Sequence, residues 1–277
     1  MSLITKKPGP LIMGILNVTP DSFSDGGKYV DTRDAVARGL EMVEEGADII
    51  DIGGESTRPG SQRVDAIEQK RRILDVISAL AKEIPNDVLI SVDTTLSEVA
   101  VAALDAGAGF VNDVTGGTED ESIITLVAER NVPYCIMHMQ GKPGNMQDNP
   151  AYDDATQEIK EFLIQQAEKA QTLGVKKENI ILDPGIGFGK RTQHNLELLK
   201  QLNQFGQLDY PILLGTSRKR FMGEICNTED PAQRMPATCA TTALGVEAGA
   251  KIFRVHDVWQ NRQAADVSYA IKMCDKN

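Results

Sequence analysis

Short apolar runs recur along the chain, and each closes on polar residues before a polar or glycine-rich loop begins. Residues 11–16 lead to Asn17, residues 49–52 to Gly53-Gly54-Glu55, residues 89–92 to Asp93, and residues 110–111 to Asn112-Asp113. Residues 134–137 lead to His138, residues 180–182 to Asp183, residues 212–215 to Thr216-Ser217, and residues 252–255 to His256-Asp257. Nearly continuous apolar runs suit strands buried on both faces, as in a parallel sheet. Between the runs the apolar period lengthens to that of a helix. Residues 34–45 set Ala35, Leu40 and Val43 on one side, and residues 68–82 do the same with Ile73, Val76, Ile77 and Leu80. Further helices are expected near 96–106, 120–130, 153–173, 192–204, 232–248 and 258–274. Gly46, Gly107, Gly174 and Gly249 follow the last turns, where a left-handed residue stops a helix.

Eight strand–helix units predict a single (β/α)8 barrel, with a doubly wound sheet as the alternative. The 277 residues suit one domain over 1–277, with a core over about 11–274, since such barrels often use about 250 residues. In barrels of this kind the active site forms at the C-terminal strand ends. Asn17, Asp93, Asn112, His138, Asp183, Ser217, Arg254 and His256 are therefore expected to ring one mouth. Any one of them alone reads equally well as a helix cap or turn residue. As a set they ask for more, because caps rarely need Arg and His.

Composition narrows the function. With 41% hydrophobic and 25% charged residues the chain is an ordinary globular protein, and its net charge of −11 disfavours a nucleic-acid partner. No apolar run approaches the ~20 residues that span a membrane, so no membrane partner is expected. No signal peptide is visible, and the four cysteines show no C-x-x-C or zinc spacing. The expectation is a cytoplasmic protein with reduced thiols.

The loops carry the candidate chemistry. The first, residues 17–27, is polar with one aromatic, Phe23, and suits a lid. The second, residues 53–60, carries Arg58 beside Pro59. Asp93 and Asp183 place two carboxylates at strand ends. Residues 183–190 hold three glycines without Walker spacing, which suits close approach by a flat ligand rather than a phosphate loop. Three cations, Arg218, Lys219 and Arg220, follow the seventh strand, while Arg254 and His256 share one face of the eighth. An acidic chain that gathers cations at these two loops is expected to bind an anion there.

Read together, these segments resemble the dihydropteroate synthases among the pterin-binding barrels. Residues 17–27 resemble the N-V-T-P-D-S-F-S-D-G-G element and residues 54–60 the G-E-S-T-R-P-G element. Ser91-Val92-Asp93-Thr94, Asn112-Asp113-Val114, residues 183–190, Ser217-Arg218-Lys219 and Arg254-Val255-His256-Asp257 match in order, over about residues 11–260. Ile186 and Arg220 are mild departures.

The resemblance implies that Asp93, Asn112, Asp183 and Lys219 hold the pterin. It implies that Asn17, Arg58, Arg254 and His256 hold pyrophosphate, with Mg²⁺ on Asn17 and Asp21 assisting. Phe23, Thr57, Pro59 and Ser217 would line a para-aminobenzoate pocket. The carboxylates suit the pterin's N–H edge, and Asn112 can donate as well as accept. The implied reaction joins a pterin diphosphate to para-aminobenzoate, breaking the C–O bond to pyrophosphate largely before the C–N bond forms. Removing Arg254 is expected to slow turnover and spare pterin binding. A homodimer and competition by sulfonamides are also implied. The alternatives are a pterin-binding methyltransferase serving a corrinoid protein and a non-catalytic pterin-binding protein.

Overall fold

The computed structural model describes Ile4 and residues 7–19, 28–56, 61, 63–142 and 144–274, without the side chains of residues 28–31. Eight parallel strands stand in the order β6-β5-β4-β3-β2-β1-β8-β7. They are β1 (Leu11–Asn17), β2 (Ile49–Gly53), β3 (Leu89–Asp93), β4 (Phe110–Asp113), β5 (Tyr134–Met137), β6 (Ile180–Asp183), β7 (Leu213–Leu214) and β8 (Ile252–Val255). A single parallel bridge between Leu182 and Ile212 brings β6 to β7 and completes the barrel. The doubly wound alternative is thereby excluded.

Helices alternate with the strands: α1 (Lys28–Glu44), α2 (Ala66–Glu83), α3 (Ser97–Asp105), α4 (Ser122–Arg130), α5 (Ala155–Thr172), α6 (Thr192–Lys200), α7 (Leu202–Gly206), α8 (Arg220–Cys226), α9 (Met235–Ala248) and α10 (Val258–Met273). Three details differ from the sequence expectation. The helix expected over 192–204 breaks at Gln201 into α6 and α7, and the one expected over 232–248 begins as a 3₁₀ turn at Pro231–Arg234. The short α8 was not anticipated, because charged residues interrupt its apolar period. The four helix-ending glycines all take positive φ.

The strand period of two sorts the residues. Ile12, Ile50, Val92, Val111, Ile180 and Phe253 face outward into the core shared with the helices. Leu11, Met13, Ile49, Phe110, Cys135, Ile181, Leu213 and Ile252 face inward and plug the barrel. Two residues further along four of the strands, the same inward face turns polar: Asp51 follows Ile49, Asn112 follows Phe110, Asp183 follows Ile181, and Arg254 follows Ile252. The site is thus built directly on the apolar plug.

Candidate active site

The sheet register sets the site's spacing. Asp93 pairs with Asn112 across β3 and β4, Gly53 with Asp93 across β2 and β3, and Asn17 with Gly53 across β1 and β2. Asp183 closes the ring beside Met137. All three acidic or amide groups, Asp93, Asn112 and Asp183, are buried. Each spends part of its side chain on the protein. Arg254 Nη2 donates to Asp93 Oδ2 at 2.6 Å, Gly185 N donates to Asp183 Oδ1 at 2.7 Å, and Asn112 Nδ2 donates to Asp51 Oδ2 at 3.0 Å. Asp93 Oδ1, Asp183 Oδ2 and Asn112 Oδ1 make no hydrogen bond among the described residues, so the barrel floor presents three acceptors. Asn112, expected to donate and accept alike, is oriented by Asp51 as an acceptor toward the mouth.

Arg254 lies deeper than an anion ligand need lie. Its Nε donates to Asp51 at 2.6 Å while Nη2 holds Asp93, so one guanidinium joins two carboxylates. Burial is the main cause that shifts the acidities of Asp93, Asp183 and Lys219. Burial, with Asp51 nearby and despite Arg254, raises Asp93 to about 7. Burial raises Asp183 to about 6, against the Gly185 N–H and Lys219. Burial lowers Lys219 to about 7, opposed by Asp183. The floor therefore exchanges protons near neutrality, as sites built to receive a hydrogen-bonding ligand do.

The loop after β7 uses backbone conformation to separate its cations. Arg218 has φ of 57°, a left-handed conformation that is costly for a side chain with a Cβ and is held by the surrounding contacts. That twist turns Arg218 outward onto Asp257, with Nε–Oδ2 at 3.0 Å and Nη2–Oδ1 at 2.5 Å. Lys219 turns inward, its Nζ 3.8 Å from the centre of the Phe188 ring. Arg220 is exposed and pairs with Glu224. Three cations do not converge there as the sequence suggested: Lys219 alone of the three enters the mouth. Ser217 meets His256, with Oγ 2.9 Å from Nδ1 and accepting from the His256 backbone N–H at 3.1 Å. Ser217 Oγ thus bridges the backbone N–H and the ring Nδ1 of His256.

The loop after β6 needs its glycines. Gly185 has φ of 67°, and a Cβ there would stand 1.9 Å from His138 O; at Gly189 it would stand 2.3 Å from Gln140 O. The two loops after β5 and β6 are thus pressed backbone to backbone. Lys190 clamps them from beneath, its Nζ reaching Phe188 O at 2.9 Å, His138 Nδ1 at 3.0 Å and His138 O at 3.3 Å. His138 Nδ1 is accordingly taken by Lys190 instead of being offered to the mouth; burial, with Lys190 adding to it, lowers its pKa to about 2. Above the clamp, Phe188 packs with Val114, Met137 and Met146 into an apolar wall. Sequence reasoning missed Asp51, Lys190 and this wall. An aspartate within an apolar strand, two residues after an inward isoleucine, was the available signal for Asp51.

Asn17 sits half-buried at the end of β1. Among the described residues no three carboxylate, His or Cys side chains converge on a possible metal position. One amide oxygen suits a magnesium ion that draws its remaining ligands from phosphate and water. Asp21, Phe23, Thr57, Arg58 and Pro59 lie outside the described residues.

Comparison with known proteins agrees with this geometry. The profile of the family described as pterin binding enzyme matches residues 13–256. A dihydropteroate synthase of Synechocystis sp. is 45% identical over 260 residues, covering 94% of this chain and 89% of that protein. The solved structure of the Xanthomonas albilineans dihydropteroate synthase with 4-aminobenzoic acid is similar with a TM-score of 0.89 at 43% identity, covering 96% of this chain and 94% of the other. That of the Yersinia pestis dihydropteroate synthase with a sulfonamide drug has a TM-score of 0.89 at 40% identity, covering 98% and 96%.

Proposed function

We propose that this chain, which belongs to the dihydropteroate synthase family of pterin-binding enzymes, condenses 6-hydroxymethyl-7,8-dihydropterin diphosphate with para-aminobenzoate to give 7,8-dihydropteroate and pyrophosphate. It is a transferase of folate synthesis, and a sulfonamide that mimics the arylamine would compete for its site. The observation that carries the reading is the acceptor row of Asp93, Asn112 and Asp183 on the barrel floor, with Lys219 beside it. A pterin's pyrimidine edge offers N–H donors side by side, and three acceptors at the ends of β3, β4 and β6 suit it. Lys219 faces Asp183 and can donate to a ring carbonyl or ring nitrogen. Phe188 and Met137 would cover the ring.

Arg254, His256 just past the end of β8, Arg58 and Asn17 would hold the diphosphate, with the two arginines offsetting its charge. Mg²⁺ held by Asn17 and phosphate oxygens would add positive charge there. The arylamine is uncharged and a weak nucleophile, so the chain's groups act on the leaving group. The C–O bond between the pterin methylene and the diphosphate breaks, its electron pair leaving with pyrophosphate. The C–N bond then forms, and the arylammonium gives its proton to solvent. The chain's contribution is positioning and electrostatic stabilisation. Ser217 would act through His256 as well as at the aminobenzoate pocket, which Phe23, Thr57 and Pro59 complete, and Asp21 would assist from the first loop. Pyrophosphate release from the pterin diphosphate with Mg²⁺, matched by dihydropteroate formation only when para-aminobenzoate is present, tests the reading; tight pterin binding without release would instead favour the methyltransferase.

A homodimer is part of the same proposal. Leu244 on α9 and Trp259, Val267 and Ile271 on α10 are exposed apolar side chains on two helices packed together on the outside of the barrel. Such a patch suits a second copy. A cytoplasmic location is supported by the free thiols of Cys135, Cys226, Cys239 and Cys274. No described helix is long and apolar enough to cross a membrane.

A further inference from the structure

Asp51 stands below the ligand-facing row, fully buried in the middle of β2. Its Oδ2 accepts twice, from Asn112 Nδ2 at 3.0 Å and from Arg254 Nε at 2.6 Å. Its Oδ1 is buried without a hydrogen-bond partner, and so is Oγ of Ser91, its register neighbour on β3. A buried carboxylate with one oxygen unsatisfied costs stability. That cost is incurred where one carboxylate oxygen holds both an amide and a guanidinium of the floor.

We propose that Asp51 is the positioning residue that gives the pterin floor its all-acceptor character. A carboxylate oxygen facing Arg254 can only accept, so the Asn112 atom turned toward it must be the amide nitrogen. The Asn112 oxygen is thereby committed to the mouth. Through the second hydrogen bond Asp51 fixes Arg254, whose Nη2 occupies Asp93 Oδ2 and leaves Oδ1 for the ligand. Without Asp51 the Asn112 amide is free to turn over, placing a donor where the ligand also has a donor. The site would then lose its selection for an edge of consecutive N–H groups, while groups that hold the arylamine are untouched. The inference rests on the pterin-binding reading and deepens it.

The test compares the wild type with Asp51→Ala and Asp51→Asn, each checked for native circular dichroism. Calorimetry with 6-hydroxymethylpterin measures the floor without requiring turnover. Steady-state kinetics then give KM for the pterin diphosphate and for para-aminobenzoate. Asp51→Ala is expected to weaken pterin binding about thirtyfold, the worth of one charge-assisted hydrogen bond, and to leave KM for para-aminobenzoate within about twofold. Asp51→Asn keeps an oxygen that can accept, and is expected to recover pterin affinity to within about fivefold of wild type. Unchanged pterin binding in a folded Asp51→Ala protein overturns the proposal. Equal weakness of both variants, or a parallel rise in both KM values, also overturns it. Should Asp51→Ala fail to fold, the Asn variant decides: a loss beyond about fivefold counts against the role. Failure of the synthase reading itself shows separately, as wild-type protein that binds the pterin and releases no pyrophosphate.

Discussion

Arg254 Nη2 stands 2.6 Å from Asp93 Oδ2, so the cation assigned to the leaving group and the carboxylate assigned to the pterin are one ion pair. The anion site and the pterin site share a member. Replacing Arg254 by Ala leaves Asp51 and Asp93 as neighbouring carboxylates without their cation. We expect a loss of about 3–5 kcal/mol in unfolding free energy. Turnover should fall at least about tenfold. Pterin affinity should fall with it, contrary to the sequence expectation that it survives. Urea unfolding and pterin calorimetry on the same preparation check both points.

Pterin binding is expected to release protons. In the unliganded protein Asp93 lies at about 7 and Asp183 at about 6, raised chiefly by burial. Ligand N–H groups favour the ionised carboxylates and draw both values down. Affinity therefore rises as pH increases from about 5 toward about 7, below the range in which Lys219, itself lowered to about 7, gives up its proton. Calorimetric enthalpies in buffers of different ionisation enthalpy read the proton count directly; proton uptake would reverse the assignment.

Gly185→Ala is expected to be among the most damaging small substitutions. The added Cβ meets His138 O at 1.9 Å, and the backbone is already left-handed. Backbone cannot give way as a flexible side chain would, so the cost is about 3 kcal/mol or more. Because Gly185 N also holds Asp183 Oδ1, pterin binding should weaken in any folded fraction. Denaturant midpoints and pterin titration measure the two effects.

His138 should make the protein acid-sensitive. Burial, helped by Lys190, lowers its folded pKa to about 2, whereas the unfolded chain takes up the proton near 6.5. The unfolded state thus binds more protons as pH falls below about 6.5, and stability is lost in that direction. The limiting slope is about 1.4 kcal/mol per pH unit for this one group. Urea unfolding between pH 6.5 and 4.5 should show a shallower loss in His138→Gln, which cannot titrate. Parallel slopes in the two proteins would remove His138 as the source.

Ser217→Ala should separate the two assignments of that residue. If its hydroxyl serves His256 through the 2.9 Å contact with Nδ1, the alanine variant loses kcat and shifts the pH dependence of kcat. If it serves the aminobenzoate pocket alone, KM for para-aminobenzoate rises and the pH profile of kcat stays where it was. We expect the first, with a fall of about tenfold.

The barrel was legible from the chain because strand and helix periods, and the glycines that stop helices, are local properties. Each apolar run needs no distant partner to declare itself, and the polar residue that ends it marks the C-terminal rim. The family elements at residues 17–27 and 54–60 are likewise contiguous stretches. What the chain alone could not decide was direction and company. His138 ends β5 as plainly as Asp183 ends β6, yet one turns to Lys190 and the other to the mouth. Arg218, Lys219 and Arg220 are consecutive cations, and a left-handed residue sends them to three different places. Asp51 looks like an interruption of an apolar strand until Asn112 and Arg254, 61 and 203 residues away along the chain, close on its Oδ2. Local period sets which residues can face a site. Which of them share a hydrogen bond there is decided by register and barrel closure, because those alone bring side chains from strands far apart along the chain into hydrogen-bond reach.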